Sequence, residues 1–313
     1  MKYINYVNDL IKKEVASKTN LLLFGQNINA GSCLSGLTRG IKLRRGSKII
    51  NTQNSEDSLV GFGFGLIING VSSVYFMKQM DFLLIGIDQL VNTYGFIRNF
   101  YDVKKVASFS IVATVYDQGY QGVQSSLNTF GDFCSIGQLP GLSITNALDA
   151  KRIVSSQLVS PGFRIIGLSA RLYRQEIITP DKIVYAARDN TFFRYTDGGD
   201  LTIACFNFSF PQGWDIQQQL NKKGVKASLF SINSPNPIKW DYILRQAAKT
   251  KCLVIIDDSK SANLACDDLA FRARQIRSIS KVLVFKKQLG KNWLCPVSDS
   301  MSIDYREVLR AIK

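Results

Sequence analysis

The sequence predicts an α/β protein of two domains, each a mainly parallel sheet flanked by helices. Short apolar runs that read as strands alternate with segments of helical spacing along the whole chain. The alternation lapses between residues 174 and 198 and then restarts. With 313 residues, 46% of them hydrophobic and 20% charged, the chain can fill two cores of ordinary size.

Taken in order, "MKYINYVNDLIKKEVASK" is an amphipathic helix with charges throughout, not a signal peptide. "LLLFGQNI" and "SKIINT" read as strands, "SEDSLVGFGFGLIING" as a helix and "VSSVYFM" as a strand. "DFLLIGIDQLVNTYGFIRNFY" carries apolar residues at helical spacing and predicts a long, largely buried helix. "VASFSIVATVY" is a strand, followed by a glycine-bearing loop; "DAKRIVSSQLVS" returns to helix and "GFRIIGLS" to strand. These segments make a first domain over 1–180. The mixed, turn-rich 181–198 reads as a linker. In 199–313, "LTIACFNF", "VKASLFSI", "CLVIIDD" and "KVLVFKK" read as strands, separated by helical segments and followed by "IDYREVLRAIK". Strands separated by helices predict parallel sheets covered on both faces, with ligands gathering at the carboxyl ends of the strands.

Composition narrows the chemistry. The chain has no histidine, which removes the commonest general base and metal ligand and every Ser-His or Cys-His nucleophile. Proton transfer must then fall to carboxylate, lysine, tyrosine, a cofactor or another subunit. The six cysteines are scattered without a CxxC pair, so they read as reduced core thiols of a cytoplasmic protein, with no metal site. No apolar run reaches a membrane span. The net charge of +15 is spread along the chain, densest at "GIKLRRGSK", and accompanies no nucleic-acid motif, so it reads as a solvated basic surface.

Two features hold candidate chemistry. In "NTQNSEDSLVGFGFGLIING" the pair Glu56-Asp57 stands at the mouth of a small-residue, apolar helix. Ser55, Glu56 and Asp57 could cap that helix, or a carboxylate there could handle a proton among apolar walls. The "GFGFG" within it lacks the Lys-Ser/Thr of a phosphate loop and the spacing of a dinucleotide fingerprint, so its glycines read as packing residues. "GDF" at 131–133 and "GGDL" at 198–201 imitate a Gly-Asp-Gly magnesium motif without its second glycine or a downstream asparagine.

The succession "LLLFGQNI", "SKIINTQNSEDSLVGFGFGLIINGVSSVYFMKQMDFLLIGIDQLVN", "QLPGLSITNALDAKRIVSSQL", "GLSARLYRQE" and "LTIACF … VIIDDS" resembles the beta subunit of the 2-oxo acid dehydrogenase decarboxylating component. Equivalently, it is similar to the pyrimidine-binding and C-terminal domains of transketolase-like proteins. The resemblance covers nearly the whole chain, and "SE" with "MDFLLIGIDQLVN" are its most specific pieces. It implies that Glu56 hydrogen-bonds N1′ of the aminopyrimidine of thiamine diphosphate and, by exchanging a proton there, favours the imino tautomer. It also implies that Phe82 stacks on the pyrimidine, with Leu59 and Met80 lining the same pocket. Diphosphate and Mg2+ are held in this family by another chain or domain. The resemblance therefore implies an alpha-type partner subunit bearing Gly-Asp-Gly, in an alpha2beta2 tetramer acting on a small-molecule substrate.

The departures are as specific. Gln26-Asn27 replace the family's acidic residue after "LLG". The loop before "PGL" has Gln124 and Ser125 where a substrate-handling histidine is usual, and Ser259 replaces a histidine after the second domain's "IDD". Cofactor activation is thus expected, together with a changed substrate site. Two substrate classes follow, ketol transfer on a specialised sugar, as in a transketolase-like enzyme, and decarboxylation of a 2-oxo acid. The basic surface inclines the reading to the first. A non-catalytic scaffold subunit is the remaining alternative.

Overall fold

The computed structural model describes residues 1–102, 107–119, 127–235, 239–261, 265–287 and 299–312. Helix α1 (Tyr3–Ala16) leads into β1 (Leu21–Gly25), β2 (Lys48–Asn51), α2 (Glu56–Ile68) and β3 (Ser72–Met77). A 3-10 turn (Met80–Leu84), a π-turn (Gln89–Thr93) and α3 (Tyr94–Phe100) follow. Then come β4 (Ser108–Val115), α4 (Phe130–Ile136), β5 (Gly141–Ile144), α5 (Ala147–Gln157) and β6 (Gly162–Ser169). The six strands form one parallel sheet in the order β2-β1-β3-β4-β6-β5.

Both faces of this sheet are covered, as the near-continuous apolar runs require. On β3, Val74 and Phe76 join the core that contains α1 and α5, whereas Tyr75 and Met77 join the one that contains α2 and α3. Alternation of the side chains by one residue thus feeds two separate layers. α2 packs so closely that a Cβ on Gly63 would lie 2.1 Å from the Phe109 ring, while the same atom on Gly65 would meet nothing within 4 Å.

The second sheet uses β7 (Tyr185–Ala186), β8 (Phe192–Arg194), β9 (Leu201–Phe206), β10 (Ala227–Ile232), β11 (Cys252–Asp257) and β12 (Lys281–Lys286). Its order is β12-β11-β9-β10-β8-β7, with β7–β8 and β8–β10 antiparallel and the other pairs parallel. Helices α6 (Phe210–Asn221), α7 (Asp241–Thr250), α8 (Ala265–Arg274) and α9 (Tyr305–Ile312) cover it. The core shared by α1 and α5 also takes in Leu201, Ile203, Phe210, Leu229 and Val254, so one apolar layer runs between the two sheets.

Two segments differ from expectation. The stretch 181–198 carries β7 and β8, which extend the second sheet instead of joining two bodies loosely. The long helix expected over 81–101 is broken into the 3-10 turn, the π-turn and α3, and Leu84, Ile85, Phe96, Phe100 and Tyr101 are exposed. Apolar periodicity marks side chains to be kept from water; it does not say whether the same chain covers them. Among the described residues no helix is long and apolar enough to cross a membrane, and Cys33, Cys134, Cys205, Cys252 and Cys266 are free thiols.

The two glycines of α2 should respond oppositely to alanine. Gly63→Ala drives a methyl group into Phe109 and should destabilise by about 1–3 kcal/mol. Gly65→Ala fills open space and should stabilise by up to ~1 kcal/mol through helix propensity. Chemical denaturation of the two variants measures both signs.

Candidate functional site

β2 and β3 end on the same edge of the first sheet, and the chain beyond each end supplies one half of the site. After β2, α2 begins directly with Glu56 and Asp57 in its first turn, where their charges complement the helix dipole. Ser55 occupies the N-cap position but makes no side-chain cap hydrogen bond, so the capping expected of it is not observed. After β3, the 3-10 turn carries Met80, Asp81 and Phe82.

Gly86 holds the two halves together. A Cβ there would lie 3.2 Å from the Glu56 carbonyl oxygen and 3.0 Å from the Val60 side chain, so a larger residue would press the turn away from the first turn of α2. The two most specific sequence pieces, "SE" and "MDFLLIG", are therefore in direct contact.

Glu56 is 9% exposed, and its carboxylate makes no hydrogen bond or ion pair among the described residues. A side chain so nearly buried, whose carboxylate oxygens no protein group engages, leaves those oxygens open to a ligand. Tyr75 on β3 senses it: burial and then the Glu56 charge push the Tyr75 phenol upward. Phe82 is half-buried, Leu59 is half-buried against the α2 core, and Met80 is wholly buried in that core beneath the turn. Gln124 and Ser125 lie outside the described residues.

Beside Phe82, Asp81 was not singled out by the sequence. It is only 2% exposed and neither carboxylate oxygen has a hydrogen-bond partner. Burial pushes its pKa up to about 7, against smaller opposing effects of the Leu127 backbone and the Lys260 ammonium. The only available signal was its place between Met80 and Phe82, and that does not distinguish a buried from an exposed acid.

On the same sheet edge, a cleft of about 740 Å³ opens between the carboxyl ends of β3, β4 and β6. Arg39, Lys78 and Arg174 line it together with Thr114 and Tyr116, giving it cationic walls suited to an anionic group. Among the described residues no group of three or more Cys, Asp or Glu is gathered that could hold a metal ion.

The fold and this edge site define the class: an α/β protein of two mainly parallel sheets, with a nearly buried carboxylate at the start of the second helix. Comparison with known proteins agrees. Over 280 residues the chain is 22% identical to the beta subunit of the acetoin:2,6-dichlorophenolindophenol oxidoreductase of Cupriavidus necator, covering 86% of this chain and 82% of that protein. It is likewise 22% identical to the 2-oxoisovalerate dehydrogenase subunit beta of Bacillus subtilis, over 84% and 81% of the two chains. Among solved structures, a split-gene transketolase described as an inactive beta4 tetramer superposes with a TM-score of 0.65 at 14% identity, covering 98% of this chain and 95% of that one. No family model matches the sequence.

Asp81 makes a testable demand on stability. Its folded pKa, about 7, lies above the 3.8 of an unperturbed aspartate, so the chain takes up a proton on folding. The resulting loss of stability is absent below about pH 4, grows as pH rises toward 7 and is level above it. Asp81→Asn should therefore gain in melting temperature relative to the parent between pH 4 and pH 8. A difference independent of pH would contradict the assignment.

Proposed function

We propose that this chain is the beta-type subunit of a heteromeric thiamine diphosphate enzyme that cleaves a carbon–carbon bond next to a carbonyl and transfers the two-carbon or acyl fragment. The observation that carries the reading is Glu56, a nearly buried carboxylate with no protein partner, held against the Phe82 turn through Gly86. An aminopyrimidine fits these residues. Its ring nitrogen would satisfy the carboxyl group, and the half-buried Phe82 would offer a ring face for stacking. Leu59 forms an apolar wall, with Met80 filling the space beneath.

Thiamine diphosphate, when bound, supplies the carbanion-stabilising chemistry. This chain's residues would orient it, and the Glu56 carboxyl would exchange one proton with the aminopyrimidine at N1′. Neither glycine–aspartate segment of this chain is placed to hold the diphosphate as a Gly-Asp-Gly motif would. "GDF" lies at the start of α4, and "GGD" precedes β9 at its amino end. An alpha-type partner with Gly-Asp-Gly would hold the diphosphate and Mg2+. The exposed apolar side chains Leu84, Ile85, Phe96 and Phe100 support such a partner, because they begin within the turn that touches Glu56. We take the assembly to be alpha2beta2.

Two substrate classes remain supported. Ketol transfer on a sugar agrees with the split-transketolase fold match, and a 2-oxo acid agrees with the 2-oxoisovalerate dehydrogenase relative. The cationic cleft suits an anionic group of either. The test is reconstitution with a co-expressed alpha-type subunit, thiamine diphosphate and Mg2+, assaying both ketose and 2-oxo acid donors. Glu56→Gln should assemble normally and lose about 10²–10⁴-fold in turnover. Unchanged turnover would leave the chain a scaffold.

A further inference from the structure

We propose that the second half of the chain carries a separate oxyanion site, built to take the phosphate group of a small molecule, where loop 197–199 meets α7. The site is a cavity of about 530 Å³ at the amino edge of the second sheet, within the usual size range of ligand pockets. Three cations line it: Arg194 from the end of β8, and Arg245 and Lys249 from α7.

Arg194 is fixed in place. Its Nη1 donates to Gln246 Oε1 at 3.1 Å and lies 3.2 Å from Asp197 Oδ1, and its guanidinium sits 5.6 Å from the centre of the Tyr242 ring. Tyr242 is in turn stacked on Tyr185 at 3.8 Å. Arg245 and Lys249 are different. They are exposed and stand one turn apart on the same face of α7, a spacing at which like charges repel, and neither makes a hydrogen bond or ion pair among the described residues. Asp197, the acid on the rim, is already engaged by Arg194. The cavity thus holds an excess of positive charge that the fold does not neutralise, as a dianion would require.

The loop adds backbone access. Gly198 is pressed against the start of β10, where a Cβ would lie 2.3 Å from the Lys226 carbonyl oxygen. Gly199 also lines the cavity, and a Cβ there would meet nothing within 4 Å. While Asp200 accepts from the Lys226 N–H, the two glycines of the "GGD" that fails as a magnesium motif thus lie on the wall of this site. Its position at the amino edge separates it from the carboxyl edge, where Asn207 and Asp258 meet, and it does not rest on the reading of Glu56.

Calorimetric titration with inorganic phosphate and with pyrophosphate, at ionic strength held constant with sodium chloride, tests the site. The parent chain should show saturable one-site binding. The double variant Arg245→Gln/Lys249→Gln should lose about tenfold or more in affinity without a fall in melting temperature. The exposed pair Lys222→Gln/Lys223→Gln removes the same charge from the end of α6 and should bind as the parent does. Absent saturation, or equal losses in the two double variants, would overturn the proposal. So would tighter, steeply salt-dependent binding of a single-stranded oligonucleotide, the mark of an extended nucleic-acid surface.

Discussion

Arg171 lies between two buried carboxylates, Asp117 beyond β4 and Asp258 beyond β11, and through them the carboxyl edges of the two sheets are joined. The surrounding polar groups complete the junction. Ser169 Oγ and the Arg171 N–H donate to Asp117, while Asn207 Nδ2 and the Phe208 N–H donate to Asp258. Asn128 bridges to the Asp258 carbonyl, and Lys260 pairs with Asp299. A buried guanidinium flanked by carboxylates is tolerated only when every partner is in place, since loss of one leaves an uncompensated charge worth about 3–5 kcal/mol. The halves are thereby held in one arrangement, which Asn233 reinforces by bonding Ser143 and Asp149 of the first half.

That junction determines where the site can be. It occupies the ends of β4 and β6 toward one side of the first sheet, in the order β2-β1-β3-β4-β6-β5. The ends of β2 and β3 lie toward the other side and remain available for α2 and the Phe82 turn. Glu56 sits at that other side, and the exposed Leu84 and Ile85 belong to the turn packed against it. Under the proposed function, the carboxylate without a protein partner and the exposed apolar surface are one feature: a half-site.

Much of this was legible in the sequence, for identifiable reasons. The strands were readable because parallel strands buried on both faces are short apolar runs, and the glycines of "GFGFG" because a phosphate loop needs residues the segment lacks. Gly63 against Phe109 bears out the packing role there, whereas Gly65 meets nothing within 4 Å. Three things were not legible. Arg171, Asp117 and Asp258 are brought together across 54 and 87 positions, and nothing local marks any of them. The broken helix was hidden because exposed apolar side chains show the same periodicity as core ones. Strands β7 and β8 were concealed by charges and turns within a stretch too short for a strand pattern.

The most direct measurement of the central claim is the rate of hydrogen–deuterium exchange at C2 of thiamine diphosphate, followed by acid quench and proton NMR, with this chain and an alpha-type subunit together and apart. If Glu56 is the proton partner of the cofactor, exchange is accelerated only when both chains are present, and the acceleration disappears with Glu56→Gln. Full acceleration with that variant would contradict the account.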